Sequence, residues 1–188
     1  MLISIIDKNC AKILLFLAIS PGSKYTRNEI KQYTQMNNVP LDIVLNKLNL
    51  LKMINKDKKI YNLNLGNPII KFILEERKKI AGLPIKIQFI ILEFIEAISR
   101  FKKIKSIILF GSYSKMIFHE NSDVDIAVIV ENMLESKIEL ERQIFPLLKR
   151  LSKKYKKEIE AHYFHESDLN HKEDPLIKDI VRNGILLA

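Results

Sequence analysis

The sequence predicts an α/β (α+β) chain: a helical domain closed by a β hairpin, then a helical connector, then a small mixed sheet. Three observations carry this. Apolar residues recur at helical spacing through the first 52 residues, whereas from residue 104 onward short β-branched runs of strand length alternate with helical segments. Charge divides at the same place, because residues 1–105 hold 19 Lys and Arg against 8 Asp and Glu while residues 106–188 hold 12 against 14. A basic half suits an anionic surface such as nucleic acid, and an acidic half suits cations. A lysine- and isoleucine-rich coding bias would give the same asymmetry, and charge alone does not separate the two.

The remaining composition narrows the class. At 188 residues and 47% hydrophobic content the chain can bury one core or two small ones. The lone cysteine, Cys10, excludes an internal disulfide framework and a cysteine-rich zinc site, which fits a reducing cytoplasm. The apolar stretch AKILLFLAIS reads as helix rather than signal peptide, since Asp7 stands where such a leader is basic. Lys86, Gln88, Glu93 and Glu96 interrupt the apolar residues 85–98, so no membrane span is expected.

Taken in order, residues 7–19 place Ile13, Leu14, Leu17 and Ala18 on one helical face, and Pro21-Gly22 ends the helix. Thr26 with Glu29 forms a capping box that starts a second helix, expected to run to about Thr34. A third helix, expected over 40–52 after the Asn37-Asn38 break, repeats Leu41, Val44, Leu45, Leu48 and Leu51. MINKDKKIYNLN then reads as a hairpin turning at Lys56-Asp57-Lys58.

This order over residues 7–65 resembles a winged helix-turn-helix domain, with the leucines of LNKLNLLKMI at that family's third-helix core positions. Lys52 stands where the family usually has glycine, and VPLDIVLN offers no arginine to grip guanine. Lys47, Lys52, Lys56, Lys58 and Lys59 suit phosphates, so the resemblance implies DNA as a partner of residues 1–65, positioned without reading sequence. The same architecture also serves protein contact or dimerisation. The domain is assigned to residues 1–66.

Residues 67–102 form the connector, two helices started by Pro68 and Pro84. The second is apolar on more than one face, through Ile87, Phe89, Ile90, Ile91, Leu92, Phe94, Ile95 and Ile98. Its second surface belongs either to a homodimer partner, through residues 85–101, or to this chain.

Residues 103–188 carry the chemistry. IKSIILF leads into GSYSKM and then DVDIAVIV, followed by a helix over 135–157 containing Pro146, a strand EIEAHYF at 158–164, and a short helix from Pro175 to Asn183-Gly184. The strand period of two puts Asp123 and Asp125 on one face, and like charges so close call for a cation between them. Converging carboxylates suit Mg²⁺, which takes hard oxygen ligands and shares them with phosphates. Without a side chain Gly111 lets a triphosphate approach the backbone, and Ser112 with the helix start supplies donors.

A strand, Gly-Ser, nine residues, and Ser-Asp-x-Asp entering a hydrophobic strand resemble the nucleotidyltransferase superfamily that includes DNA polymerase beta, and especially its minimal members. Their usual form is GSxARG followed by SDxDL. Here Gly111, Ser112, Ser114, Lys115, Met116, Ser122, Asp123, Asp125 and Ile126 take those places, with Lys115 for arginine and Met116 for the closing glycine. The resemblance implies a nucleotidyltransferase fold, ATP as donor and two Mg²⁺ ions held by Asp123, Asp125 and a third carboxylate on a later strand. Glu160 fits that third place, with Glu158 and His162 on the same face. Gly111, Ser112, Lys115 and Ser122 would meet the triphosphate, and Glu160 would orient or deprotonate an acceptor hydroxyl that attacks the α-phosphorus. Minimal members often act with a small helical toxin protein, so such a partner is implied as acceptor. The rival reading is a DNA-binding regulator that only senses a nucleotide or metal.

Overall fold

A computed structural model describes residues 7–99, 101, 103–131, 134–171 and 173–188, and the chain divides into two compact units, Met1–Ile85 and Lys86–Ala188. The first helix of the expected connector thus falls in the first unit and the second almost wholly in the second.

In the first unit Asp7 opens α1 (Lys8–Leu17), its carboxylate accepting from the backbone N–H groups of Asn9 and Cys10 at 3.0 Å each. These are donors that a helix start leaves unpaired. Thr26 opens α2 (Arg27–Thr34) with the expected capping box to Glu29. The third helix, α3 (Asn38–Leu50), begins two residues earlier than expected, with Asn37 at its cap position. The strands β2 (Ile54–Asp57) and β3 (Ile60–Leu63) form the hairpin, but Asp57 pairs with Ile60 and the turn is Lys58-Lys59. Lys58 adopts φ 53°, a left-handed conformation that a two-residue hairpin turn demands.

One strand went unexpected: β1 (Tyr25–Thr26) pairs antiparallel with β3, giving a three-stranded sheet in the order β1-β3-β2. Ile13, Leu14, Leu17, Ile30, Leu41, Leu45, Leu48, Ile54 and Leu63 are buried and form the core that the helical spacing indicated. The unit closes with α4 (Pro68–Arg77) and a 3-10 turn, Lys78–Ile80.

The second unit begins with α5 (Ile85–Ile98), whose Ile87, Phe89, Ile90, Ile91, Leu92, Phe94 and Ile98 are all buried within the single chain. Its sheet has the order β6-β5-β4-β7. The strands are β4 (Ile104–Phe110), β5 (Val124–Val130), β6 (Ile159–His165) and β7 (Ile185–Leu186). Strands β4 and β5 are antiparallel, while β5 and β6 are parallel. Between them runs α7 (Leu134–Tyr155), the crossover that a parallel pair requires, and it continues through Pro146. The central strand β5 has Val124, Ile126, Ala127, Val128, Ile129 and Val130 at 1% exposure or less, so both its faces are covered and Asp125 is its one ionisable residue. The last helix, α8 (Pro175–Asn183), packs Ile180 with Phe110, Ala127 and Ile129. Strand β7 returns antiparallel to β4, a pairing no sequence pattern announced. No helix among the described residues is long and apolar enough to cross a membrane.

Candidate active site

Strand β4 ends at Phe110, which pairs with Asp125, and the chain turns at once into the single-turn helix α6 (Gly111–Ser114). Gly111 has φ +72°, and a Cβ built on it would overlap Asp125 Oδ2 and lie 3.1 Å from its Cγ. Only glycine meets both demands, a left-handed backbone and a carboxylate seated against it. Tyr113 is buried and stacks on Phe118 at 4.6 Å, and Lys157 donates to the Glu120 carbonyl at 2.6 Å, so both ends of the loop from α6 to β5 are held.

The parallel register sets Asp125 opposite Glu160 and Ala127 opposite His162. Asp125, Glu160 and His162 thereby bring one ligand atom each within 4.8 Å of one another. His162 Nε2 lies 3.5 Å from Glu160 Oε2, and its ring meets Phe110 edge-on at 5.4 Å. Burial raises the Asp125 carboxyl above its ordinary value, and Glu160, Asp123 and Asp179 push it further while His162 opposes them. Such uncompensated negative charge, with two carboxylates and an imidazole as donors, fits a divalent cation.

The sequence profile of the Polymerase beta, Nucleotidyltransferase family matches residues 93–188, just over half of the chain. The chain belongs to the polymerase beta nucleotidyltransferase family. No curated protein matches it. Among solved structures, one described as the crystal structure of the toxin-antitoxin with AMP-PNP is 25% identical, covering 53% of this chain and 70% of that chain at a TM-score of 0.38.

In this nucleotidyltransferase the expected site residues are distributed unevenly. Asp125 and Glu160 stand together with His162, whereas Asp123, half-buried just before β5, is not one of that group. Ser112 is half-buried on α6, its carbonyl accepting from Ile117 N–H at 3.1 Å. The Ser122 hydroxyl accepts from the His119 backbone N–H at 2.8 Å and so closes the loop before β5. Lys115 reaches Asp179 on α8, with Nζ 2.7 Å from Oδ1.

Asp179 and Lys157 are the contributors that sequence reading missed. Burial works against ionising Asp179, but Lys115, Asn183 and the Gly111 backbone N–H outweigh it and hold the carboxyl below its ordinary value. No local motif marks Asp179, because its role exists only once α8 folds back beside α6. A groove of about 470 Å³ lined by Phe145, Lys149, Lys153 and Lys157, among others, shares no lining residue with the carboxylate cluster.

Proposed function

We propose that this chain transfers a nucleoside monophosphate, with ATP as donor, to a hydroxyl acceptor on a partner protein. The observation that carries the reading is the register of β5 and β6, which sets Asp125 against Glu160 beside a glycine turn that Asp125 itself occupies. Asp123, Asp125 and Glu160 would hold two Mg²⁺ ions, which supply charge neutralisation of the triphosphate and a lowered pKa for the acceptor hydroxyl. Gly111, Ser112, Lys115 and Ser122 form the triphosphate side. Glu160 takes the hydroxyl proton, the oxygen bonds to the α-phosphorus, and the bond to the β-phosphate breaks to release pyrophosphate. The resemblance to minimal nucleotidyltransferases makes a small helical toxin the partner class.

The test is transfer from α-labelled ATP to proteins that copurify with the chain in its native host. Label should appear on the partner with Mg²⁺ and vanish in Asp123→Asn/Asp125→Asn. Absence of transfer and of Mg²⁺-dependent nucleotide binding in the unsubstituted chain sinks the reading.

A second reading, a DNA-binding regulator, draws on the first unit. Its order α1-β1-α2-α3-β2-β3 and sheet order β1-β3-β2 support the winged-helix resemblance, and Lys52, Lys56, Lys58 and Lys59 are exposed around the hairpin. Against it, the exposed side of α3 carries Val39, Ile43 and Leu50, and Arg27 is bound bidentately by Asp42 at 2.6 and 2.8 Å. An apolar helix face suits protein contact better than a DNA groove. Salt-dependent DNA retention by the full chain, unchanged in the double aspartate variant, would favour the regulator.

A further inference from the structure

We propose that His162 is a direct ligand of the divalent cation held by Asp125 and Glu160, and that the site therefore prefers a nitrogen-accepting first-row cation, probed as Mn²⁺, over Mg²⁺. The inference deepens the nucleotidyl-transfer reading and rests on it for the identity of the site. Three features carry it.

The first is reach. Ligand atoms roughly 2.1 Å from one octahedral ion stand about 3.0 Å apart when adjacent and about 4.2 Å when opposite, and the three ligand atoms lie within 4.8 Å of one another, so side-chain rotation on the order of an ångström closes the set. The second is orientation. His162 shares its strand face with Glu160, and the edge-on contact with Phe110 steadies the ring from the strand that also feeds the glycine turn. The third is availability. At 3.5 Å the contact between Nε2 and Glu160 Oε2 is too long to be a good hydrogen bond, so no strong hydrogen bond to Glu160 holds this nitrogen away from a cation.

Chemistry then sets the preference. Mg²⁺ is a hard ion that dehydrates reluctantly and takes oxygen, whereas imidazole nitrogen is a good ligand for the first-row divalent metals. Asp123 sits outside the three-residue group, so at the ion shared by Asp125 and Glu160 the third protein ligand is His162, and Asp123 is left to the second ion of the pair.

The experiment uses the full chain. Mn²⁺ binding is read from loss of the free-ion EPR signal and Mg²⁺ binding from calorimetry, for the unsubstituted chain, His162→Ala, His162→Gln and Asp125→Asn, each checked by circular dichroism. His162→Ala should weaken Mn²⁺ by about tenfold or more and leave Mg²⁺ within about twofold, with His162→Gln behaving alike. Asp125→Asn should weaken both. Equal Mn²⁺ affinity with and without the imidazole, or parallel losses for both cations, overturns the proposal. Retained His162-dependent Mn²⁺ binding without label transfer under either cation upholds the ligand and removes the transferase reading alone.

Discussion

The carboxylate of Asp125 fills the space that a side chain at Gly111 would need. The turn from β4 into α6 and the charge at the heart of the site are therefore one packing arrangement. Gly111→Ala should lose stability for two separable reasons. The left-handed backbone costs about 1–2 kcal/mol for any L-residue, and the overlap with Asp125 adds to it. In urea unfolding, Gly111→Ala/Asp125→Ala should recover the overlap part and retain the backbone part. Strict additivity of the two single changes would show that the contact carries no energy.

Lys52 and Met116, the two places where this chain departs from glycine in its resemblances, share a backbone state. Lys52 has φ 53° and Met116 φ 58°. Each is the left-handed residue just past a helix. Met53 N–H bonds Leu48 carbonyl at 2.9 Å and Ile117 N–H bonds Ser112 carbonyl at 3.1 Å, the six-to-one bond of a Schellman motif, with Lys52 to Asn49 and Met116 to Tyr113 completing the pattern. The turn geometry thus survives the substitutions, and the strain is what glycine would relieve. Lys52→Gly and Met116→Gly should each stabilise by a few tenths to about 1 kcal/mol, since glycine's greater unfolded entropy offsets part of the gain. Thermal unfolding of the two variants measures it, and a lowered midpoint in both would refute the strain argument.

These two positions also mark how far the sequence could be read. The capping box at Thr26, the apolar faces of α1 and α3, and the β-branched run after Asp125 are local patterns, and each produced its element within two residues. Strands β1 and β7 have two residues apiece and exist only because β3 and β4 offer an edge, so no window of sequence could reveal them. Within the site, Glu160 was suggested only by the family resemblance, which implies a third carboxylate on a later strand, and its position opposite Asp125 follows from the parallel register of β5 and β6. The engagement of Lys115 by Asp179 was not legible, because 64 residues of chain separate them and only the return of α8 to β4 brings them together.

Lys115 and Asp179 should therefore behave as a coupled pair. Asp179 is about 20% exposed on its side chain and accepts from both Lys115 and Asn183 Nδ2, the latter at 2.8 Å. Asp179→Ala should destabilise by about 1–2 kcal/mol, and a double-mutant cycle with Lys115→Met should give a coupling of about 1 kcal/mol. The Asp179 carboxyl lies below its ordinary value of 3.8, so this contribution is present above that pH and fades as acid brings pH through the lowered value. A cycle that closes to zero at neutral pH would remove the coupling.

Asp7 provides a second pH window, in the first unit. Its Oδ2 accepts from Lys47 Nζ at 2.6 Å while Oδ1 caps α1. Burial alone would raise its carboxyl, but the Lys47 and Cys10 donors outweigh it and bring the value down to about 2 from 3.8. The same site pushes the Cys10 thiol up to about 12, through burial first and the Asp7 carboxylate second, which makes it a poor nucleophile at neutral pH. Because Asp7 is about half exposed, solvent screening keeps the contribution of the pair small. Lys47→Met should lower the urea midpoint at pH 7, with the difference closing as pH drops from 3.8 through 2. A difference unchanged at pH 2 would assign the effect to packing.

Glu93 is the most demanding ionisable residue of the second unit. It is 3% exposed on α5, and its Oε1 accepts from Lys154 Nζ at 2.5 Å and from the Tyr155 hydroxyl at 2.6 Å, both at the end of α7. Burial and the neighbouring carboxylate raise the Tyr155 phenol far above its ordinary value, so it remains a donor at every working pH. Glu93→Ala deletes the acceptor that Lys154 and the buried Tyr155 hydroxyl share, at a cost of roughly 3 kcal/mol. Glu93→Gln keeps a carbonyl oxygen for Tyr155 and loses the charge toward Lys154, which is partly solvated, so it should cost less than half as much. Leucine at 93 tests the remaining possibility, that apolar packing replaces the polar cluster without penalty. Because Glu93→Leu also removes the carboxylate that accepts from the Tyr155 hydroxyl, it should fall near alanine and improve when combined with Tyr155→Phe. Chemical unfolding of the four variants orders them, and an alanine variant as stable as glutamine would show that the hydroxyl finds another partner.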